Sequence, residues 1–161
     1  MSGLISSQNF GRAGQVNNPA WSLKKTSSQD NISTGSQVDV TWQETKFMLG
    51  GCTLSGNTVV VPISGLYSID IQIQLNAATN DGNYIDLRFI VGSSIYQQSF
   101  RTEERPASEV GRIDSIYSHI ILQLATADAL KAAIYIDGGS PTTDISGGDS
   151  GTFFSGRYLG H

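Results

Sequence analysis

The sequence predicts an all-β domain, a two-sheet antiparallel sandwich of the jelly-roll kind. Three observations carry that prediction: one strand of strict alternation, eight or nine strand-length segments separated by Gly, Asn, Asp and Pro turns, and the lack of a convincing helix. The alternation is clearest from Leu66 to Asn76. Tyr67, Ile69, Ile71, Ile73 and Leu75 point one way, and Ser68, Asp70, Gln72 and Gln74 the other. Five large side chains at period two cannot share one face of a helix. Their burial is worth on the order of 7–15 kcal/mol, at about 1.5–3 kcal/mol each.

The other elements follow in chain order. Trp21 to Lys25 and Val38 to Leu49 are weaker strand candidates. Thr58 to Val61 is a short β-branched run, and Pro62-Ile63-Ser64-Gly65 is the turn that opens the long strand. Tyr84 to Val91 alternates Ile85, Leu87, Phe89 and Val91 against Asp86 and Arg88, with Asn80-Asp81-Gly82-Asn83 as the turn before it. Gly92-Ser93 then joins it to Ile95–Phe100 as a hairpin. Arg101 to Arg112 is a charged loop containing Pro106. Ile113 to Leu124 is a long strand, with Ile116, Ile120, Leu122 and Leu124 on one face and Tyr117, His119 and Ile121 on the other. Ala125 to Ala133 has a helix-like composition but runs on as β through Ile134-Tyr135-Ile136. That strand is closed by Asp137-Gly138-Gly139-Ser140-Pro141, and Thr152 to Leu159 is the last.

A chain of 161 residues suits one domain. Residues 19–161 form that domain, the head. Residues 1–18 show no period, and their glycines and asparagines disfavour a helix, so they are expected to form an extended arm with Leu4, Ile5, Phe10 and Val16 as its anchoring groups. Only 15% of residues are charged and the net charge is −4, which leaves no basic footprint for nucleic acid. The start of the chain lacks the basic and apolar regions of a signal peptide, and no stretch reaches the roughly 18 apolar residues of a membrane span. Membrane insertion is therefore not expected. The single cysteine, Cys52, reads as a small buried apolar residue.

Two strands carry apolar groups on both faces. In 113–124, Tyr117 and Ile121 oppose the core side; in 152–159, Phe154 and Tyr158 oppose Phe153 and Leu159. A monomeric sandwich leaves one wet face per strand, so a second burial surface is expected. The simplest such surface is a subunit interface holding Tyr117, His119, Ile121, Phe153, Phe154 and Tyr158.

Three motifs in order then resemble one family. Pro19-Ala20-Trp21-Ser22 is similar to the opening P-A-F-S strand of the complement C1q / tumour necrosis factor superfamily, with Trp in place of Phe. Val59 to Tyr67, through Val61-Pro62 and Gly65, resembles its F-x-V-P-x-x-G-x-Y strand entry. Thr152-Phe153-Phe154-Ser155-Gly156-Arg157-Tyr158-Leu159 resembles its closing T-x-F-S-G-F-L strand, with Arg157 replacing a Phe. No collagen-like tract precedes the head. Within the superfamily, the turn at 80–83 and the segment 135–141 look most like heads of tailed-bacteriophage virion proteins. The resemblance implies a homotrimer of jelly rolls displayed on a virion, made in the host cytoplasm.

An enzyme needs a constellation of groups, and none is visible. His119 has no acid at catalytic spacing. It reads as an interface or core histidine; were its strand to line a threefold axis, three copies could meet there and respond to pH or bind an ion. The paired glycines at 50–51, 138–139 and 147–148 do not open helices and read as turns. Asp81 with Asn80 and Asn83, and Asp144 with Asp149, match no calcium-loop spacing and suit turns better. Glu103, Glu104, Arg105, Glu109 and Arg112 read as a solvated loop tip or a partner contact. No cofactor or metal is expected. The expected function is a non-enzymatic virion structural protein, a capsid decoration or short fibre head joined to other virion proteins through the arm. The alternative is a tail fibre or spike head that recognises a cell-surface saccharide or protein.

Overall fold

The computed structural model describes residues 18–76, 82–101, 114–138, 143–148 and 151–161. The arm residues Leu4, Ile5, Phe10 and Val16, the Asn80-Asp81 turn, the charged residues of 103–112 and Asp149 lie outside these. Among the described residues there are twelve strands and no helix. They form two antiparallel sheets facing each other across one apolar core.

Sheet A is built around β6 (Gly65–Asn76). On one side β6 pairs along its length with the edge strand β9 (Asp114–Leu124). On the other it meets β11 (Asp144–Ile145) at its end and then β12 (Phe153–Gly160). Beyond β12 come β1 (Ala20–Lys24) and β3 (Glu44–Leu49). Sheet B runs β4 (Thr53–Ser55), β5 (Thr58–Val60), β10 (Ala129–Gly138), β7 (Gly82–Val91) and β8 (Ser94–Arg101), with β2 (Gln37–Asp39) also pairing with β10. Two edges, β8 and β9, therefore border the same open side of the sandwich, where they share a cleft.

The five residues expected to be buried on β6, from Tyr67 to Leu75, are all fully buried. They face Leu87, Leu130 and Ile134 of sheet B in one cluster with Trp21, Leu23 and Phe154. Two elements differ from the sequence reading. The segment 38–49 is not one strand, because the chain leaves sheet B after Asp39 and enters sheet A at Glu44. Val40 and Trp42, between the two, stay buried, so the apolar pattern runs on across the change of sheet. The helix-like segment at 125 is a turn. Asp128 caps it by accepting from the Ala125 amide at 2.8 Å, and Ala127 takes a positive φ of 68°.

Gly156 and Gly65 are among the glycines required by close approach. A Cβ on Gly156 would lie 2.3 Å from the Trp21 ring, so the indole packs directly against the bare backbone of β12. Gly65 has φ +147°, and a Cβ there would meet the Tyr158 ring at 2.4 Å.

Lys25 is fully buried, with neutral oxygens around its ammonium. It donates to Thr41 Oγ1 at 2.8 Å, to the Thr41 carbonyl at 3.2 Å and to Gln29 Oε1 at 3.4 Å, tying the 25–43 excursion to the core. Burial pushes its pKa down to about 8, with Asp30 pulling weakly the other way. The unfolded chain then holds more protons than the folded one between about pH 8 and the ordinary value of 10.5, so stability rises with pH across that window. From pH 7 to pH 9 the expected gain is about 1 kcal/mol. Above pH 9 the buried Cys52 thiol, pushed up by burial, begins to oppose it. Urea denaturation at the two pH values checks this, and Lys25→Met is expected to remove the rise.

Candidate assembly interface

The outward face of sheet A is set by the registers of its five long strands. Three rows cross it. The first is Tyr117, Gln72, Phe153, Lys24 and Glu44; the second is His119, Asp70, Ser155, Ser22 and Phe47; the third is Ile121, Ser68, Arg157, Ala20 and Leu49. Large apolar groups stand at both margins. Tyr117 and Ile121 on β9 are about half exposed, at 48% and 51%, and Phe47 and Leu49 on β3 at 43% and 44%. Leu66 adds to them at the end of β6. Five of the ten large apolar residues exposed among the described residues thus lie on this one face. Scattered exposed leucines need no explanation, but a concentration on one sheet face marks a contact surface.

The centre of the face is polar, and its groups pair with one another. Ser68 Oγ and His119 Nε2 are 3.0 Å apart, and the Tyr117 hydroxyl donates to the Asp70 carboxylate. That hydrogen bond, more than burial, raises the Tyr117 pKa. Polar groups already paired within the subunit can enter a dry contact without the cost of an orphaned donor or acceptor.

A second feature, of mixed polarity, sits at the open side. A cleft of about 370 Å³ between β8 and β9 is lined by Phe89, Tyr96, Gln98, Ser118, His119 and Ile120. Tyr96, one of its lining residues, is exposed. His119 stands at the corner between the cleft and the outer face.

Of the six residues expected at a subunit contact, Tyr117, His119, Ile121 and Phe153 lie on the outward side of sheet A. Phe154 does not. It is fully buried within the subunit, edge-on to Trp21 at 5.7 Å and stacked on Trp42 at 6.0 Å. Tyr158 likewise turns inward, packing edge-on against Tyr67 at 5.4 Å. The alternation of β12 explains both corrections: 154, 156 and 158 share its inner side. Phe47 and Leu49 were missed, because the break at 40–43 hid which side of β3 faces out. Among the described residues, no group of three or more His, Cys, Asp or Glu side chains is placed to hold a metal.

No family model and no curated protein matches the chain. Solved structures do. A structure of murine APRIL at pH 8.0 superposes with a TM-score of 0.60 at 16% identity, covering 88% of this chain and 99% of that one. Structures of the same protein at pH 5.0 and pH 8.5 give TM-scores of 0.59 and 0.56, both at 17% identity and with the same coverage. The chain has the tumour necrosis factor-like jelly-roll fold. At this identity the likeness is one of fold. The strands β3, β1, β12, β6 and β9 of that fold form the sheet whose outer face has apolar margins here.

Proposed function

We propose that this chain is a non-enzymatic structural protein of a tailed-phage virion: a homotrimeric surface head, a capsid decoration or short fibre, held by its N-terminal arm. The observation that carries the assembly is the apolar outer face of sheet A with its internally paired polar centre. The open side with its cleft is a different surface from that face. Two unlike surfaces on one chain favour a head-to-tail contact, which builds a ring where its rotation closes, rather than a two-fold dimer. A ring of three is what the family resemblance implies.

The geometry of the chain ends supports attachment through the arm. The Pro19 carbonyl accepts from the Tyr158 amide at 2.8 Å, so the arm departs beside the last residues of β12. Ile63, Leu66 and Leu159 are exposed at that same end, which gives the head an apolar base where the arm leaves it. The 18 residues of the arm would reach about 60 Å if fully extended, enough to follow a groove on a neighbouring protein. Three arms on one head act together, so weak anchors become avid. Deleting residues 2–18 tests this. The truncated head is expected to assemble as the full chain does and to be missing from purified particles; normal incorporation of the truncated head contradicts the attachment.

A further inference from the structure

The outer face of sheet B differs in chemistry from that of sheet A. Near the end of the sandwich remote from Pro19, Tyr84 of β7 and Tyr135 of β10 stack with centroids 6.1 Å apart. Arg88 lies over the Tyr135 ring at 4.4 Å, which continues the stack. The guanidinium is held in place. Its Nη2 donates to Asp86 Oδ2 at 3.0 Å, and Nη1 reaches Gln37 Oε1 of β2 at 3.5 Å. Asp86 is 1% exposed, so that pair is a fixed underpinning and not a mobile surface bridge. Tyr84, Tyr135 and Asp137 remain partly exposed, and Gln37 is exposed.

We propose that the Tyr84–Tyr135–Arg88 stack is a binding surface for a neutral oligosaccharide. The C–H faces of a pyranose pack on partly exposed aromatic rings, and the hydroxyls on its rim pair with planar carboxylate, amide and guanidinium groups. This surface offers both within a few residues. Groups already locked by stacking and ion pairing lose little freedom when a ligand arrives. The charge does not favour acidic sugars: Arg88 is paired with Asp86 and Lys131 with Asp39, so neither cation is left uncompensated for an anion. The position suits the role, since a head held by its Pro19 end turns this end outward. In that respect the inference extends the attachment proposed above. A single site of this kind binds weakly, and three copies on one head supply avidity.

The test is saturation-transfer difference NMR on the full chain with mannohexaose, cellohexaose and chitohexaose, and with hexagalacturonate as the anionic counterpart, each at about 1 mM. Transfer is expected to at least one neutral oligosaccharide and not to hexagalacturonate. Tyr84→Ala is expected to weaken it at least about tenfold, Tyr84→Phe to retain most of it, and Gln37→Ala, at an exposed position, to reduce it with the fold intact. Transfer to none of the neutral probes, preference for hexagalacturonate, or unchanged transfer in Tyr84→Ala overturns the proposal. The measurement uses the protein free of particles, so its outcome is independent of the arm-deletion result.

Discussion

Replacing Ile121 with Asp is expected to leave a folded monomer in place of the proposed trimer. Ile121 is 51% exposed in the single subunit, so the carboxylate meets water there and the sandwich is not asked to bury it. In the assembly the same position lies in the apolar margin of sheet A, opposite Ser68 across the β6–β9 pair. An uncompensated carboxylate buried at that margin costs several kcal/mol, and a symmetric ring repeats the cost at every contact. Sedimentation velocity is expected to give one species near the 17.2 kDa of a single chain, with an unchanged far-UV circular dichroism spectrum. Ile121→Ala, which removes apolar area without adding charge, is expected to weaken assembly less. An Ile121→Asp protein that remains trimeric places the subunit contact elsewhere.

Gly156→Ala acts on the fold and not on assembly. Its methyl group would sit 2.3 Å from Cη2 and Cζ2 of Trp21, and the indole is boxed in by Tyr67 at 6.2 Å and Phe154 at 5.7 Å. The ring has no open side to retreat into, so β12 must move away from the core. Overpacking of this kind costs about 3 kcal/mol. For a domain of this length that lowers the melting temperature by about 6–12 °C. Differential scanning calorimetry checks it, and Ser155→Ala on the outward side of the same strand is expected to change little.

The two substitutions divide the sequence between what pattern reveals and what register reveals. The alternation from Tyr67 to Leu75 was legible because period two needs no knowledge of neighbouring strands, and all five residues are buried. The same rule placed Tyr117 and Ile121 on the side away from the core. It did not show which apolar face of β12 was inner. Phe153 and Phe154 are adjacent aromatics, and only the pairing of β12 with β1 and β6 assigns Phe154 to the core. The change of sheet at 40–43 was hidden because burial continues through Val40 and Trp42 while the hydrogen-bonding partner changes. The strands Thr53–Ser55 and Asp144–Ile145 are too short to show a period. Lys25 gave no warning of burial, since a lysine at the end of an apolar strand reads as its solvent-facing stop. The Ser68–His119 pair and the Tyr84–Tyr135–Arg88 stack join strands distant in sequence, so they appear only once the registers are known.

The claim on which the rest depends is that copies of this chain assemble through the outer face of sheet A. Sedimentation equilibrium of the unmodified full chain at micromolar concentration tests it most directly. A single species of about 52 kDa, three times the 17.2 kDa chain, is the expected result. A stable species at 17.2 kDa across that range would contradict it.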